Sequence, residues 1–493
     1  MPDATPAPQP HFQRALTLFD AIMLVTGSMI GSGIFIVSAD IARQVGSAGW
    51  LLVVWLLTGF ITTAGAVSYG ELAAMFPKVG GQYVYLREAF GRLVAFLYGW
   101  TLFLVIQTGV IAAVAVAFAK FLGVLWPWSS VTNVLAKVGP FEFSSAQLVA
   151  IALIVGITAL NAQGVRTGKL IQNVLGSTKL VALALLIVFG VALGLNHAAV
   201  QANFHDGWTA LRYPAAGGPA LPLSAGGLVI AIGMAMSGSL FSSDSWNNIG
   251  FAGEEIQNPE RTLVRSMVIG TGIVTALYIL LNVVYLLVLP LAGSPTAATV
   301  AGRGIMYAKD DRVATAVAES VLGAPGAYVM AILIMLSTFG ANNGIILSGA
   351  RAYFAMAQDG LFFRGLARLN PAGVPSRALW AQCLWASLLC LSGNYGQLLN
   401  YVMFAVILFY VVTIVGIFVL RRTRPAAPRP YRAWGYPLVP LLYIGLASAF
   451  CVVLLIAPDT AEYSRRGLGL VALGLPVFFL FRHRFGGPAA DKA

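Results

Sequence analysis

Thr26-Gly-Ser-Met-Ile-Gly-Ser-Gly-Ile-Phe-Ile-Val37, TGSMIGSGIFIV in one-letter code, lies inside the first long apolar segment of the chain and sets Gly27, Gly31 and Gly33, with Ser28 and Ser32, near its middle. Glycine weakens a helix by about 1 kcal/mol relative to alanine, and serine offers the backbone competing hydrogen bonds. The stretch is either a close-packing face or a place where a helix is built to break.

The surroundings are those of a membrane protein. Of 493 residues, 58% are hydrophobic and 10% charged, against about 25% charged in an ordinary soluble domain. Long stretches such as 44–70, 93–119, 213–243 and 378–420 carry no charge at all. About 20 apolar residues cross the hydrocarbon core as a helix. Twelve spans are expected, near 18–42, 47–74, 90–119, 144–163, 168–193, 223–252, 263–289, 324–357, 377–392, 397–420, 437–457 and 467–481, with a break at Ser392-Gly-Asn-Tyr-Gly396 separating the ninth from the tenth. The fold class is all-α integral membrane.

An even number of spans puts both termini on one side, and the larger share of the 30 Lys+Arg falls there, which predicts cytoplasmic tails at 1–17 and 482–493 in a multi-pass plasma (inner) membrane protein. Arg421, Arg422, Arg424, Arg429 and Arg432 share one inner loop. With the net charge of +12, they read as an orientation anchor facing anionic lipid headgroups, not as a nucleic-acid patch. The N-terminal residues lack the pattern of a cleaved secretory signal, so the first span is expected to stay as an anchor. Cys383, Cys390 and Cys451 all fall in apolar spans, which leaves no readable disulfide framework, metal cluster or cofactor site. His11, His197, His205 and His483 lie outside the spans or at their edges, and no paired acids or Ser/His constellation falls within them. An intramembrane enzyme is disfavoured on that ground.

A second interruption, Ser237-Gly-Ser-Leu-Phe-Ser-Ser-Asp-Ser-Trp246, occurs in the sixth span. It occupies the place in the second set of five spans that TGSMIGSGIFIV occupies in the first. Paired broken segments in corresponding positions point to a secondary transporter built from inverted repeats, with its substrate near the midplane. Close packing through Gly27-x-x-x-Gly31 is the rival reading. Two interruptions in register, one with an embedded carboxylate, favour broken helices.

A broken helix presents backbone N–H groups to an anion and backbone carbonyls to a cation. Two crossed breaks therefore match the carboxylate and ammonium of an α-amino acid. The expected carboxylate donors are the N–H groups of Gly31, Ser32 and Gly33, with Ser32 Oγ as an additional donor. The expected ammonium acceptors are the carbonyls of Met29, Phe241 and Ser242. Phe241 and Trp246 would border the pocket, with ordinary packing as the alternative. Asp244 is read as an N-cap accepting from Asn247 or Asn248, with contact to a cationic substrate or a proton relay as its rival. Lys179, deep in the fifth span, is expected to hold spans one and eight together where a coupling cation would otherwise sit.

These residues bring a resemblance into view. Gly27-Ser-Met-Ile-Gly-Ser-Gly-Ile-Phe35, the stretch from Tyr69-Gly-Glu-Leu-Ala-Ala-Met-Phe-Pro-Lys-Val-Gly-Gly81 to Gly91, Phe241-Ser-Ser-Asp-Ser-Trp-Asn247 and Glu254-Glu-Ile-Gln-Asn-Pro-Glu-Arg261 resemble the amino acid–polyamine–organocation superfamily, and within it the L-type amino acid transporters and their bacterial relatives. The resemblance extends to Lys179 and to Asn400-Tyr-Val-Met-Phe404. It implies a LeuT-type fold with discontinuous helices one and six: an inverted repeat of five plus five spans over 18–193 and 223–420, then two further helices over 437–481. It further implies substrate binding by Ile30, Gly31, Ser32, Gly33, Phe241, Ser242 and Asp244, and a Lys179 that stands in for sodium.

The function expected is sodium-independent transport of neutral L-amino acids by alternating access, as an exchanger or facilitator. The alternatives are proton-coupled or exchanging carriage of a cationic amino acid or polyamine, and a sensor that binds an amino acid without moving it. The loop near 120–143 has no cysteine, so the disulfide to a single-span glycoprotein implied for animal members is not expected. The resemblance then implies a stand-alone subunit, with a monomer as one outcome. Pro77-Lys-Val-Gly-Gly81 reads as a turn and Asn258-Pro259 as a helix stop. Glu71, Arg87, Glu254 and Arg261 are candidates for an inner gate of alternating salt bridges.

Overall fold

The computed structural model describes residues 14–138, 141–391 and 395–481. The tail residues 1–13 and 482–493, the Ser392–Asn394 part of the expected break, and the side chains of Asn400 and Tyr401 lie outside the described residues.

Helices dominate, and they cover the segments expected as spans, the first, third and sixth as more than one helical piece. Ten helices among the described residues are long and apolar enough to cross a membrane, from Leu18–Ile36 to Leu438–Ile456. The two others differ for visible reasons. Ser376–Cys390 has 15 residues, and Ala461–Phe481 begins with Glu462, Arg465 and Arg466.

Local chemistry sets the ends. Thr17 and Asp20 form a capping box at the start of span one, the Asp20 N–H donating to Thr17 Oγ1 at 3.3 Å and the Thr17 N–H to the Asp20 carboxylate at 2.9 Å. The helix Ser38–Val45 that follows the first break stops at Gly46, whose φ of 68° suits glycine. Asn258 and Pro259 begin span seven, Pro259–Val288, rather than merely ending span six: proline at the first helical position gives up an N–H that would have no intrahelical partner. Residues 76–81 form the expected turn, with positive φ at Gly80 and Gly81.

Span one is surrounded by spans five (Val165–Leu193), seven and eight (Val313–Gln358). Span two (Ala48–Met75) packs along span seven, where a Cβ on Gly59 would fall 2.3 Å from Thr275 Cγ2. Small residues bring these helices together because the lipid supplies no hydrophobic drive between them.

The basic loop takes part in the packing of the helices. The buried Glu71 carboxylate accepts from Arg421 Nε and Nη2 at 2.9 and 2.7 Å and from the Ala433 N–H at 2.7 Å, and the Arg421 guanidinium lies over the Tyr436 ring. Arg424 pairs with Glu88 at 2.8 Å. The loop between spans ten and eleven is thereby tied to span two. At the opposite end, Arg43 donates to Asp311 at 2.8 Å and to the Met306 carbonyl at 2.5 Å, fastening the helix after the first break to the loop between spans seven and eight.

Candidate functional site

Both interruptions are real breaks, the first at Ile30–Ser32 and the second past Gly238. Span one is helical from Leu18 through Gly27 to Met29, leaves the helix at Ile30 (φ −76°, ψ 85°) and resumes at Gly33. Span six runs unbroken as Ala225–Ser242, passes Gly238, and breaks at 243–245, with Ser245 at φ 71°. Gly238 is used for packing instead: a Cβ there would lie 2.9 Å from Val37 Cβ. Beyond the break the chain continues in 3₁₀ turns over Trp246–Glu255, interrupted by a kink at Ala252 (φ −101°, ψ 18°).

The two breaks touch. A Cβ on Gly33 would stand 2.1 Å from Ser242 Oγ, whereas one on Gly31 would meet only Ala341 at 3.8 Å. Of these two glycines, only Gly33 is required for the contact. The Tyr278 hydroxyl, from span seven, lies 3.2 Å from the Met29 carbonyl and 3.1 Å from the Ser242 carbonyl, donating its one proton between them. Ser337, from span eight, donates to the Ile30 carbonyl at 3.1 Å. Two of the three carbonyls expected to take an ammonium thus already share a donor in this conformation. Gly33 opens a helix, whereas the Gly31 N–H, another expected carboxylate donor, already bonds to the Met29 carbonyl at 2.9 Å, and the Phe35 N–H bonds to the Ser32 carbonyl at 3.2 Å.

Lys179 is fully buried and donates from Nζ to the Gly27 carbonyl at 2.5 Å. Its Cε lies 3.3 Å from where a Cβ on Gly340 of span eight would be. The side chain therefore sits between spans one and eight.

Asp244 is not the cap the sequence suggested. The Asn248 N–H bonds to the Ser245 carbonyl at 3.2 Å, and the Asp244 carboxylate instead accepts from the Tyr410 hydroxyl at 2.7 Å. The reversed φ at Ser245 turns the chain before a capping geometry can form. A polar chain continues from Tyr410 to Asn247 Oδ1 (2.9 Å) and from Asn247 Nδ2 to Gln82 Oε1 (3.0 Å). Beside it lies a narrow cavity of about 20 Å³, walled by Asp244, Ser245, Asn247 and Asn248 with Gln82, Gln107, Tyr98 and Tyr410, and by apolar residues including Ile106 and Val406.

Phe241 and Trp246 are buried but do not wall this cavity. Trp246 packs edge-on to Tyr69 and tilted against Tyr410, the bland packing role.

The four residues expected to form an inner gate do not pair with one another. Glu71 is held by Arg421, Arg87 pairs with Asp359 and Glu88, and Glu254 accepts from the Val79 N–H at 3.4 Å. Neither Glu71 nor Arg261 walls the larger cavity at this end, about 260 Å³, which Arg87, Glu254, Lys78 and Asp359 line. Among the described residues no group of three or more His, Cys, Asp or Glu could hold a metal ion.

Tyr278, Ser337, Tyr410, Gln82 and Gln107 escaped the sequence reading as site residues, and Asn248 entered it only through its backbone N–H. Each is a polar residue in an apolar helix or a short one, and only the polarity itself could have flagged them.

The sequence profile described as amino acid permease matches residues 16–473. The b(0,+)-type amino acid transporter 1 of Mus musculus is 30% identical over 482 residues, 96% of this chain and 89% of that protein. The large neutral amino acids transporter small subunit 2 of Homo sapiens is 32% identical over 471 residues, 95% of this chain and 80% of that protein.

Proposed function

The chain belongs to the amino acid permease family, and from that premise we propose that it exchanges neutral L-amino acids, independently of sodium, through a site formed where the breaks of spans one and six meet. It is a multi-pass membrane transporter of amino acids rather than an enzyme. In the proposed cycle the substrate carboxylate takes the N–H groups around Gly31, Ser32 and Gly33. The ammonium displaces the Tyr278 hydroxyl from the Met29 and Ser242 carbonyls, with the Phe241 carbonyl alongside.

The observation that carries this reading is the direct contact of the two breaks at Gly33 and Ser242 under one bridging hydroxyl. Opposite helix-end charges converge there without a charged side chain. Lys179 Nζ, between spans one and eight, supports sodium independence, since an ammonium there supplies the positive charge a metal ion would bring. The proposal includes inverted repeats over 18–193 and 223–420 with helices 437–481 outside them, and both termini on the cytoplasmic side of the inner membrane. It also includes operation without a disulfide-linked heavy subunit, since all three cysteines are buried and none lies in the loop between spans three and four.

Uptake of labelled neutral amino acids into proteoliposomes, preloaded or empty, with and without sodium, tests it. Uptake that needs internal substrate and ignores sodium is expected. Sodium-dependent uptake, or uptake into empty vesicles at the same rate, overturns it.

A second reading has its own observation. Asp244 walls the cavity, and among the described residues no cationic side chain pairs with it. A cationic substrate would supply that partner. Asp244→Asn separates the two: selective loss of arginine uptake supports the cationic reading, and unchanged neutral uptake supports the first.

A further inference from the structure

The cavity beside the second break holds a second unsatisfied group. Asn248 is 4% exposed, and its Nδ2 has no hydrogen-bond partner among the described residues. Three of the side chains around it are engaged: Asn247 with Gln82 and Tyr410, Gln82 Nε2 with the Phe409 carbonyl and Thr413, and Gln107 Nε2 with the Ile345 carbonyl, while the Tyr98 and Ser245 hydroxyls also face the cavity. A buried amide donor without an acceptor is costly, and natural structures keep such groups rare.

Resting on the transport reading above, we infer that this cavity receives the substrate side chain and that Asn248 selects a side chain that accepts and donates hydrogen bonds at once. The side-chain carboxamide of glutamine is the fitting class. Its carbonyl takes the Asn248 N–H, and its N–H₂ donates to the Asp244 carboxylate, which has only the neutral Tyr410 hydroxyl as a side-chain donor. A lysine or arginine side chain serves Asp244 but leaves the Asn248 donor unsatisfied. A glutamate side chain serves Asn248 but faces the Asp244 charge. A methionine side chain, similar in length, satisfies neither. The cavity is narrow in this conformation, so Ile106 or Val406 must give way as the side chain enters.

The test uses the full-length protein in proteoliposomes, with labelled glutamine, methionine and lysine, alongside thermal stabilisation of the detergent-solubilised protein by each. Wild type is expected to favour glutamine over methionine by roughly tenfold in half-saturating concentration, the effect of one well-placed buried hydrogen bond. Asn248→Leu should remove that preference, weakening glutamine far more than methionine. Asn248→Asp, of the same shape, replaces the donor with an acceptor and should shift preference from glutamine to lysine. Equal handling of glutamine and methionine by wild type, or an equal loss of both in either variant, overturns the inference. Selective stabilisation by glutamine without flux of any amino acid would sustain the subsite and sink the transport reading. No stabilisation by any of the three would sink both.

Discussion

Lys179 Nζ donates to the Gly27 carbonyl at 2.5 Å, one turn before span one leaves the helix. Gly27 O belongs to the last turn of that half-helix, where carbonyls lack intrahelical donors. Span five thereby satisfies and positions the broken end from inside the bundle. Lys179→Met keeps the stem and removes the donor. Transport is expected to fall at least about tenfold, since an orphaned buried carbonyl costs roughly 1–3 kcal/mol, while surface expression stays. Wild-type flux in Lys179→Met would remove the role given to this residue.

Gly33 tests the contact between the breaks. A methyl at this position would lie 2.1 Å from Ser242 Oγ, so Gly33→Ala should abolish glutamine binding or weaken it severely. The double variant Gly33→Ala/Ser242→Gly removes the opposing side chain and is expected to recover part of it. Binding measured by thermal stabilisation decides the point, and a double variant no better than the single one would mean that the steric account is wrong.

Tyr278→Phe removes the hydroxyl shared by the Met29 and Ser242 carbonyls. The ligand-free protein should lose about 1 kcal/mol of stability, the usual net worth of a hydrogen bond. Substrate no longer has to displace that donor, so ligand-induced stabilisation should rise relative to wild type. A lower ligand effect would instead show that Tyr278 touches substrate productively.

Glu71 anchors the loop between spans ten and eleven through Arg421 and the Ala433 N–H. Glu71→Gln keeps the shape and loses the charge beneath a partly buried guanidinium, and about 3 kcal/mol of destabilisation is expected. Arg421→Lys should not substitute for arginine, because the two-pronged contact needs a planar guanidinium. The unfolding midpoint in detergent checks both, and a change within about 0.5 kcal/mol would assign the loop's attachment elsewhere.

The sequence by itself determined the medium, the helices and the existence of two breaks. Hydropathy responds to one-dimensional composition, and a helix satisfies its own backbone wherever it sits. Glycine and serine in TGSMIGSGIFIV and Ser237–Trp246 announced that two helices would fail. Where they fail was decided in three dimensions. Gly238 stays helical and its missing Cβ admits Val37, and the chain turns instead at Ser245. Likewise the charged candidates Glu71, Arg87, Glu254 and Arg261 were visible, but their partners were not. Arg421 lies 350 residues from Glu71 and Asp359 lies 272 from Arg87, and no local spacing encodes such pairs. Tyr278, Tyr410 and Asn248 became site residues only once folding brought span seven to the two breaks, span ten to Asp244, and the turned 3₁₀ segment to the cavity. A backbone break depends on its own residues and can be read in line. A binding pocket depends on side chains from distant spans, and only their packing places them.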